Sequence, residues 1–252
     1  MQRRALILSC LLPIALARCG DSVNEPPAVP ANAIPAGTVV GTASIEGRVL
    51  FTGNAPPPEP IRTDSDAACH HKQEQPPVRE SLIVGPEGGL TSVFVHVASG
   101  LGDRVFSPPK DPVTLDQRGC TYRPHVIGVQ VGQPLRLLNS DSTLHNVHTI
   151  SKDNRPFNFG MPVEGQQVTK FFTHPEVMVK AKCDVHPWMA AFIGVSSHPF
   201  FQVTGADGAF ALRGLPAGTY EIETWHESLG PKRETITLGD GESKTLTFTY
   251  PG

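Results

Sequence analysis

The chain reads as an all-β protein, and three features of its sequence say so. Glycine and proline punctuate it throughout, 24 and 25 of 252 residues, so no long helical pattern survives. Apolar side chains recur at every second position over short runs, the period of a strand with one buried face. Turn sequences separate those runs at regular intervals. With 39% hydrophobic residues, a chain of this length buries one large core or two modest ones. The formal charge is -3 and no run of Lys or Arg follows the first few residues, which excludes the electrostatic footprint of a nucleic-acid binder.

Residues 1–18 have the form of a signal peptide: Arg3 and Arg4, an apolar stretch from Ala5 to Ala17, and a small-residue cleavage signal at Ala15-Leu16-Ala17. The apolar stretch is too short to span a bilayer. The following "LARCGDS" is similar to a bacterial lipoprotein signal, in which Cys19 becomes the lipidated first residue of the mature chain. Arg18 stands where such signals have a small residue, so lipidation at Cys19 and simple secretion both stay open. Either way an exported protein is expected, periplasmic or lipid-anchored at the outside of the cytoplasmic membrane or in the outer membrane. Residues 19–43 are Pro- and Ala-rich without periodicity and read as an extended tether.

Export makes disulfides durable and changes how the five cysteines divide. Cys10 leaves with the signal, Cys19 is lipidated or free, and Cys183 belongs to a loop treated below. Cys69 and Cys120 remain as the pair for a disulfide. The competing reading makes Cys69, His70 and His71 a metal site, but these residues lie in a polar stretch and no C-x-x-C-H haem pattern occurs.

Strands follow in order. "SIEGRVLFTG" puts Ile45, Gly47, Val49 and Phe51 on one side. "LTSVFVHVASG" sets Val93, Val95 and Val97 against Phe94 and His96, the pattern of a strand covered on both faces. Near the end, turns at Asp207-Gly208 and Pro216 to Gly218 carry hairpin signatures, and two more alternating runs flank Gly239 to Gly241. The stretch "TGADGAFALRGLPAGTYEIETW" resembles the regulatory-like, transthyretin-type β-sandwich found beside carboxypeptidases, over about 55 residues. That family opens with I-x-G-x-V, present here at Ile45 to Val49. The resemblance implies a split sandwich, residues 44–112 and 198–252, with residues 113–197 inserted into it or packed against it.

The inserted part carries the chemistry. Val177, Val179, Ala181 and Cys183 fall on one face of a strand, Met178, Lys180 and Lys182 on the other, so period two aims the thiol inward. The chain turns through Asp184 and Val185 and brings His186 and Met189 back, stiffened by Pro187. His145 supplies a second imidazole after a polar turn. Thiolate, two imidazoles and a weak thioether are the donors of a blue copper site, whereas structural zinc has no use for Met. The expected metal ligands are therefore His145, Cys183, His186 and Met189, holding one type 1 copper ion. His125 and His148 read as structural, and Met161 as a weaker soft-donor candidate.

The set resembles the cupredoxins, and C-x-x-H-x-x-M is the loop spacing of their amicyanin branch. The family likeness extends to "LHN", and implies a Greek-key sandwich in which Asn146 bonds to the ligand loop and ties the two ligand segments together. It also implies that the outer edge of His186 reaches the surface within an apolar docking patch formed by Pro187, Trp188 and Ala190. The sequence has no His-x-His pair, the mark of a multicopper oxidase, and one Cys in the loop, where a dinuclear centre needs two. No H-E-x-x-H occurs either. The expectation is a non-enzymatic, monomeric carrier of single electrons between redox proteins such as a c-type cytochrome or a dehydrogenase. The alternatives are a copper-handling protein and a binding or adhesion module with a secondary copper site.

Overall fold

The computed structural model describes residues 25–70 and 76–252. The signal, Cys10, Cys19, the His70 side chain and His71 lie outside what it describes. The strands are β1 (Ala43–Thr52), β2 (Phe94–Ser99), β3 (Val113–Arg118), β4 (Thr121–Arg123), β5 (Val126–Gln130), β6 (Leu135–Asn139), β7 (His145–Ile150) and β8 (Asn158–Met161). They continue with β9 (Gln167–Lys170), β10 (Glu176–Lys182), β11 (Ala190–Ser196), β12 (Phe201–Val203), β13 (Ala209–Leu215), β14 (Gly218–His226), β15 (Gly230–Leu238) and β16 (Ser243–Pro251). Among the described residues a short α-helix, α1 (Ala67–His70), and a single 3-10 turn at Pro86–Gly88 interrupt the first long loop. The protein is all-β, and among the described residues no helix is long and apolar enough to cross a membrane.

The strands form four sheets in two facing pairs. Sheets ordered β13-β1-β16 and β12-β2-β14-β15 enclose one core, which includes Ile45, Val49, Val95, Phe210, Ile222 and Tyr250. Sheets ordered β5-β11-β10-β7-β8 and β4-β3-β6-β9 enclose the other, which includes Leu115, Val129, Leu137, Val147, Val179 and Ile193. Period two decides these faces: Ile45, Val49 and Phe51 of β1 are buried, as are Val93, Val95 and Val97. Phe94, on the opposite face of β2, is buried too, because it packs into the second pair of sheets. The close approach there depends on missing side chains, since a Cβ on Gly194 would stand 2.6 Å from the Phe94 ring and one on Gly128 2.4 Å from Phe201. Phe192 against Trp225, ring centres 5.1 Å apart, continues the seam.

Three local expectations change. The turns at Asp207-Gly208 and Pro216 to Gly218 are not hairpins, because β13 pairs with β1 while β12 and β14 belong to the facing sheet. Each turn is a corner between sheets, and the tight hairpin of this region joins β14 to β15 at His226 and Gly230. The Pro-rich segment is docked over its later part rather than a free tether: Ile34 donates its N–H to the Val105 carbonyl and accepts from Ser107 N–H, both at 2.8 Å. Its Pro27, Val29 and Pro30 line an apolar cleft with Val105 and Phe106.

The third change is at Val177, which is 38% exposed although Val179, Ala181 and Cys183 are buried. The register of β10 on β11 shifts between Glu176 and Val179, a bulge that breaks the parity at Val177. It also turns the Glu176 carboxylate inward, where Ser151 Oγ, the Lys152 and Asp153 N–H groups and Asn154 Nδ2 donate to it. Burial alone would raise the Glu176 pKa, but these donors more than offset it and hold it below the ordinary carboxylate value. A depressed folded-state pKa stabilises the protein above the unfolded value, and this stability is lost as pH falls through the folded value. Glu176→Gln should therefore lower stability at pH 7 by about 1–3 kcal/mol. The difference from the native protein should shrink below about pH 4 in urea titrations at both pH values, and a pH-independent difference would contradict the assignment.

Candidate metal centre

The centre is built on one strand pair. In the antiparallel register of β7 and β10, Lys182 lies opposite His148, which sets the first residue of β7, His145, beside the loop that leaves β10 at Cys183. That loop folds on itself. The His186 N–H points at Cys183 Sγ at 3.4 Å, Met189 N–H donates to the His186 carbonyl at 2.9 Å, and Cys183 N–H donates to the Met189 carbonyl at 3.3 Å. Asn146 closes the arrangement, accepting at Oδ1 from Asp184 N–H at 2.7 Å and from the Cys183 thiol at 3.3 Å. Tyr122 in turn donates to the Asn146 carbonyl at 2.5 Å.

These contacts bring three donors together. His145 Nδ1 lies 2.9 Å from His186 Nδ1, which is 3.9 Å from Cys183 Sγ, and one ligand atom from each residue fits within 4.8 Å. Donors about 2.0–2.3 Å from one ion stand about 3–4 Å apart, so the triangle has the size of a metal site. His145 is 0%, His186 1% and Cys183 2% exposed, which keeps water out of it. Met189 is buried in the same core cluster as Cys183.

Both imidazoles are held at the outer nitrogen by a carboxylate. His145 Nε2 donates to Asp141 Oδ2 at 3.0 Å, and His186 Nε2 donates to Asp66 Oδ2 at 2.8 Å. With Nε2 protonated, each Nδ1 turns its lone pair toward the other at 2.9 Å, the tautomer a metal at this point requires. Asp141 also accepts from Gly119 N–H at 3.0 Å and Cys120 N–H at 2.8 Å. Burial would raise its pKa, yet His145 and those amides bring it down to about 2. Burial pulls His145 down, and Asp141 and Cys183 more than offset this, leaving its pKa raised. For Cys183 burial acts upward, but contacts to His145, Asn146 and His186 leave the thiol pKa lowered, toward the thiolate a metal binds. Asp66 is held below its ordinary value chiefly by His186.

The other residues singled out in the sequence fall outside this triangle. Cys69 and Cys120 form a disulfide. Two more groupings of potential ligands use their sulfurs, Asp66 with Cys69 and His186, and Cys120 with Asp141 and His145. Disulfide sulfurs are not thiolates, so these groupings add only the two carboxylates. Met161 is buried opposite His145 on β8, where Gln117 Nε2 donates to its sulfur at 3.0 Å. His148 Nδ1 bonds to Asp184 at 2.9 Å, and His125 sits between the Ala190 carbonyl at 3.1 Å and Glu227 at 2.5 Å. Among the described residues neither His125 nor His148 belongs to a ligand grouping.

One expectation is overturned. The outer edge of His186 does not reach the surface, because Asp66, 120 residues earlier, occupies it. Pro187 is exposed, whereas Trp188 and Ala190 are half-buried. The Trp188 indole donates to the Cys120 carbonyl at 2.9 Å and its ring lies 5.0 Å from that of His186. Sequence reasoning missed both carboxylates. Asp141 carried a signal, four residues before His145 in a polar turn; Asp66 carried none beyond its nearness to Cys69.

No family model matches the chain, and no curated protein matches it. Among solved structures it is similar to a copper-containing nitrite reductase from Thermus scotoductus SA-01, at 25% identity and a TM-score of 0.33 over 41% of this chain. The match spans only 25% of that enzyme. It is also similar to an amicyanin mutant in its Cu(I) form, at 20% identity and a TM-score of 0.31, over 40% of this chain and 98% of that one. A purple cupredoxin from Nitrosopumilus maritimus aligns at 22% identity and a TM-score of 0.28, over 34% of this chain and 100% of that one. Overlaps at such TM-scores do not define function, which rests on the donor geometry.

Asp141 anchors His145 and two loop amides at once. Asp141→Ala should cost the metal-free protein about 1–3 kcal/mol in chemical denaturation, because three donors, two of them buried, lose their acceptor. It should also weaken metal binding by about 10–100-fold in competition titrations. Unchanged stability would mean that Asp141 does not organise the site.

Proposed function

We propose that the chain is an exported copper protein that holds one type 1 ion on His145, Cys183, His186 and Met189 and passes single electrons between redox proteins. The observation that carries this reading is the convergence of two imidazole Nδ1 atoms and one thiol in a water-excluded triangle. The donor set fits copper by its chemistry, since a lowered-pKa thiol and the Met189 thioether of the same loop are soft and the imidazoles suit Cu(II). When bound, copper supplies a one-electron couple between Cu(II) and Cu(I). The residues supply constancy of shape. Asp141 and Asp66 keep both rings from turning, and Asn146 keeps the Cys183 loop against β7, so the donors are preset for either oxidation state.

The domain reading belongs to the same proposal: residues 113–197 form the copper domain and residues 44–112 with 198–252 a transthyretin-like sandwich around it. We read the protein as a carrier rather than an enzyme, a monomer whose partners are a c-type cytochrome or a dehydrogenase and include no nucleic acid. Export, with or without a lipid on Cys19, suits the Cys69–Cys120 disulfide, which an oxidising compartment maintains. A copper-handling role would use the same four donors. The burial of His186 under Asp66 supports retention of the ion over rapid hand-off.

The copper-loaded protein should show an intense thiolate-to-copper charge-transfer band toward the red end of the visible spectrum. Cys183→Ser should abolish it and leave the far-ultraviolet circular dichroism of the β fold unchanged. A band that survives the substitution, or a native protein that binds copper without one, would sink the assignment.

A further inference from the structure

The outer nitrogens of both ligand rings lead to one covalent link. On one side His186 Nε2 meets Asp66, whose other oxygen accepts from Ala68 N–H at 2.7 Å and whose carbonyl accepts from Cys69 N–H at 3.1 Å. Asp66 is thus fixed on the turn that carries Cys69, and the Cys69 sulfur itself lies 3.7 Å from His186 Nε2. On the other side Cys120 donates its N–H to Asp141, which holds His145, and its carbonyl receives the Trp188 indole that lies along His186. The bridge between Cys69 and Cys120 joins the two sides.

The segment bearing Asp66 lies outside the regular strands. It lies in the connection between β1 and β2, which in its described residues is fastened by short β-bridges, Pro60 to Val78 among them, by backbone bonds such as Ile61 N–H to the Pro77 carbonyl at 2.7 Å, and by side-chain contacts such as Arg79 with Glu59 and Ser228 Oγ with the Ser81 carbonyl. Neither Asp66 nor Cys69 belongs to the sheets that carry the donors. Irregular segments outside the sheet ladders open locally at lower cost than the strands they connect.

We propose that Asp66 is a positioning residue for His186 and that the Cys69–Cys120 bridge is the latch that holds it there, closing the metal centre at the one ring edge that would otherwise face solvent. The proposal rests on the reading of His186 as a ligand and adds its control: while the bridge is intact, the ion is retained and partners cannot reach the His186 edge directly. Without the bridge, as when both cysteines are replaced by serine, Asp66 is no longer held at the ring, the ring regains rotation, and the centre opens.

The test uses the metal-free full-length protein, so its outcome does not depend on copper. Histidines are modified with diethyl pyrocarbonate and the rate at His186 is read by peptide mass spectrometry against the exposed His174. In the native protein His186 should be protected. The double substitution Cys69→Ser and Cys120→Ser should raise its relative rate by about tenfold or more, as local opening removes its cover. Asp66→Ala, which keeps the disulfide, should expose His186 as well, and Asp66→Asn should restore protection only in part, because its one amide oxygen accepts from Nε2–H or from Ala68 N–H but not from both. In copper-loaded protein the same order should appear in the rate of metal loss to a chelator. An unprotected His186 in the native protein, or equal rates in native protein, Asp66→Ala and the double variant, would overturn the latch. A native protein without a thiolate-copper band would sink the copper reading alone, leaving the modification result to decide the latch.

Discussion

The register between β7 and β10 is the constraint on which the rest of the centre depends. Lys182 faces His148, and from that pairing the chain order alone places Asn146 against Asp184 and His145 within reach of the Cys183 loop. A slip of one residue would send Val179, Ala181 and Cys183 to the opposite face and Lys180 and Lys182 into the core, a cost no local contact could offset. The buried apolar face of β10 therefore fixes where the thiol points before any metal is involved. The bulge at Val177 is tolerated because it lies at the far end of the strand, where Glu176 finds donors of its own.

A buried triangle of two imidazoles and a thiol is costly without partners, and the fold supplies them from two directions. Asp141 comes from the loop before β7, within the same pair of sheets. Asp66 comes from the loop between β1 and β2, across the seam. The seam is made possible by Gly128 and Gly194, which let Phe94 and Phe201 approach the backbone, and it is reinforced by Phe192 against Trp225 and His125 against Glu227. The first sandwich thus has a definite effect on the second: it completes the surroundings of one ligand and covers that ligand's outer edge.

Much of this was legible in sequence because period two is a strong signal wherever one face is buried. The inward direction of Cys183, the return of His186 and Met189, and the two-sided cover of the strand around Phe94 all follow from parity and turn chemistry. Corners were misread as hairpins because Asp-Gly and Pro-x-Gly report a reversal of direction, not which strand lies alongside. Val177 was misplaced because a bulge leaves no trace in apolar periodicity. The exposed His186 edge was inferred from resemblance to the cupredoxins, and no local pattern announces a carboxylate delivered from 120 residues away. The pairing of Cys69 with Cys120 was the available clue, since it ties that distant loop to the turn before β4.

The central claim is that His145, Cys183 and His186 bind one copper ion together. X-ray absorption at the copper edge of the loaded protein tests it most directly, because it counts and types the neighbours of the metal without relying on colour or activity. One short sulfur and two imidazole nitrogens in the first shell, with the sulfur lost in Cys183→Ser, is the expected result. A shell of oxygen and nitrogen alone, or one unchanged by that substitution, would contradict it.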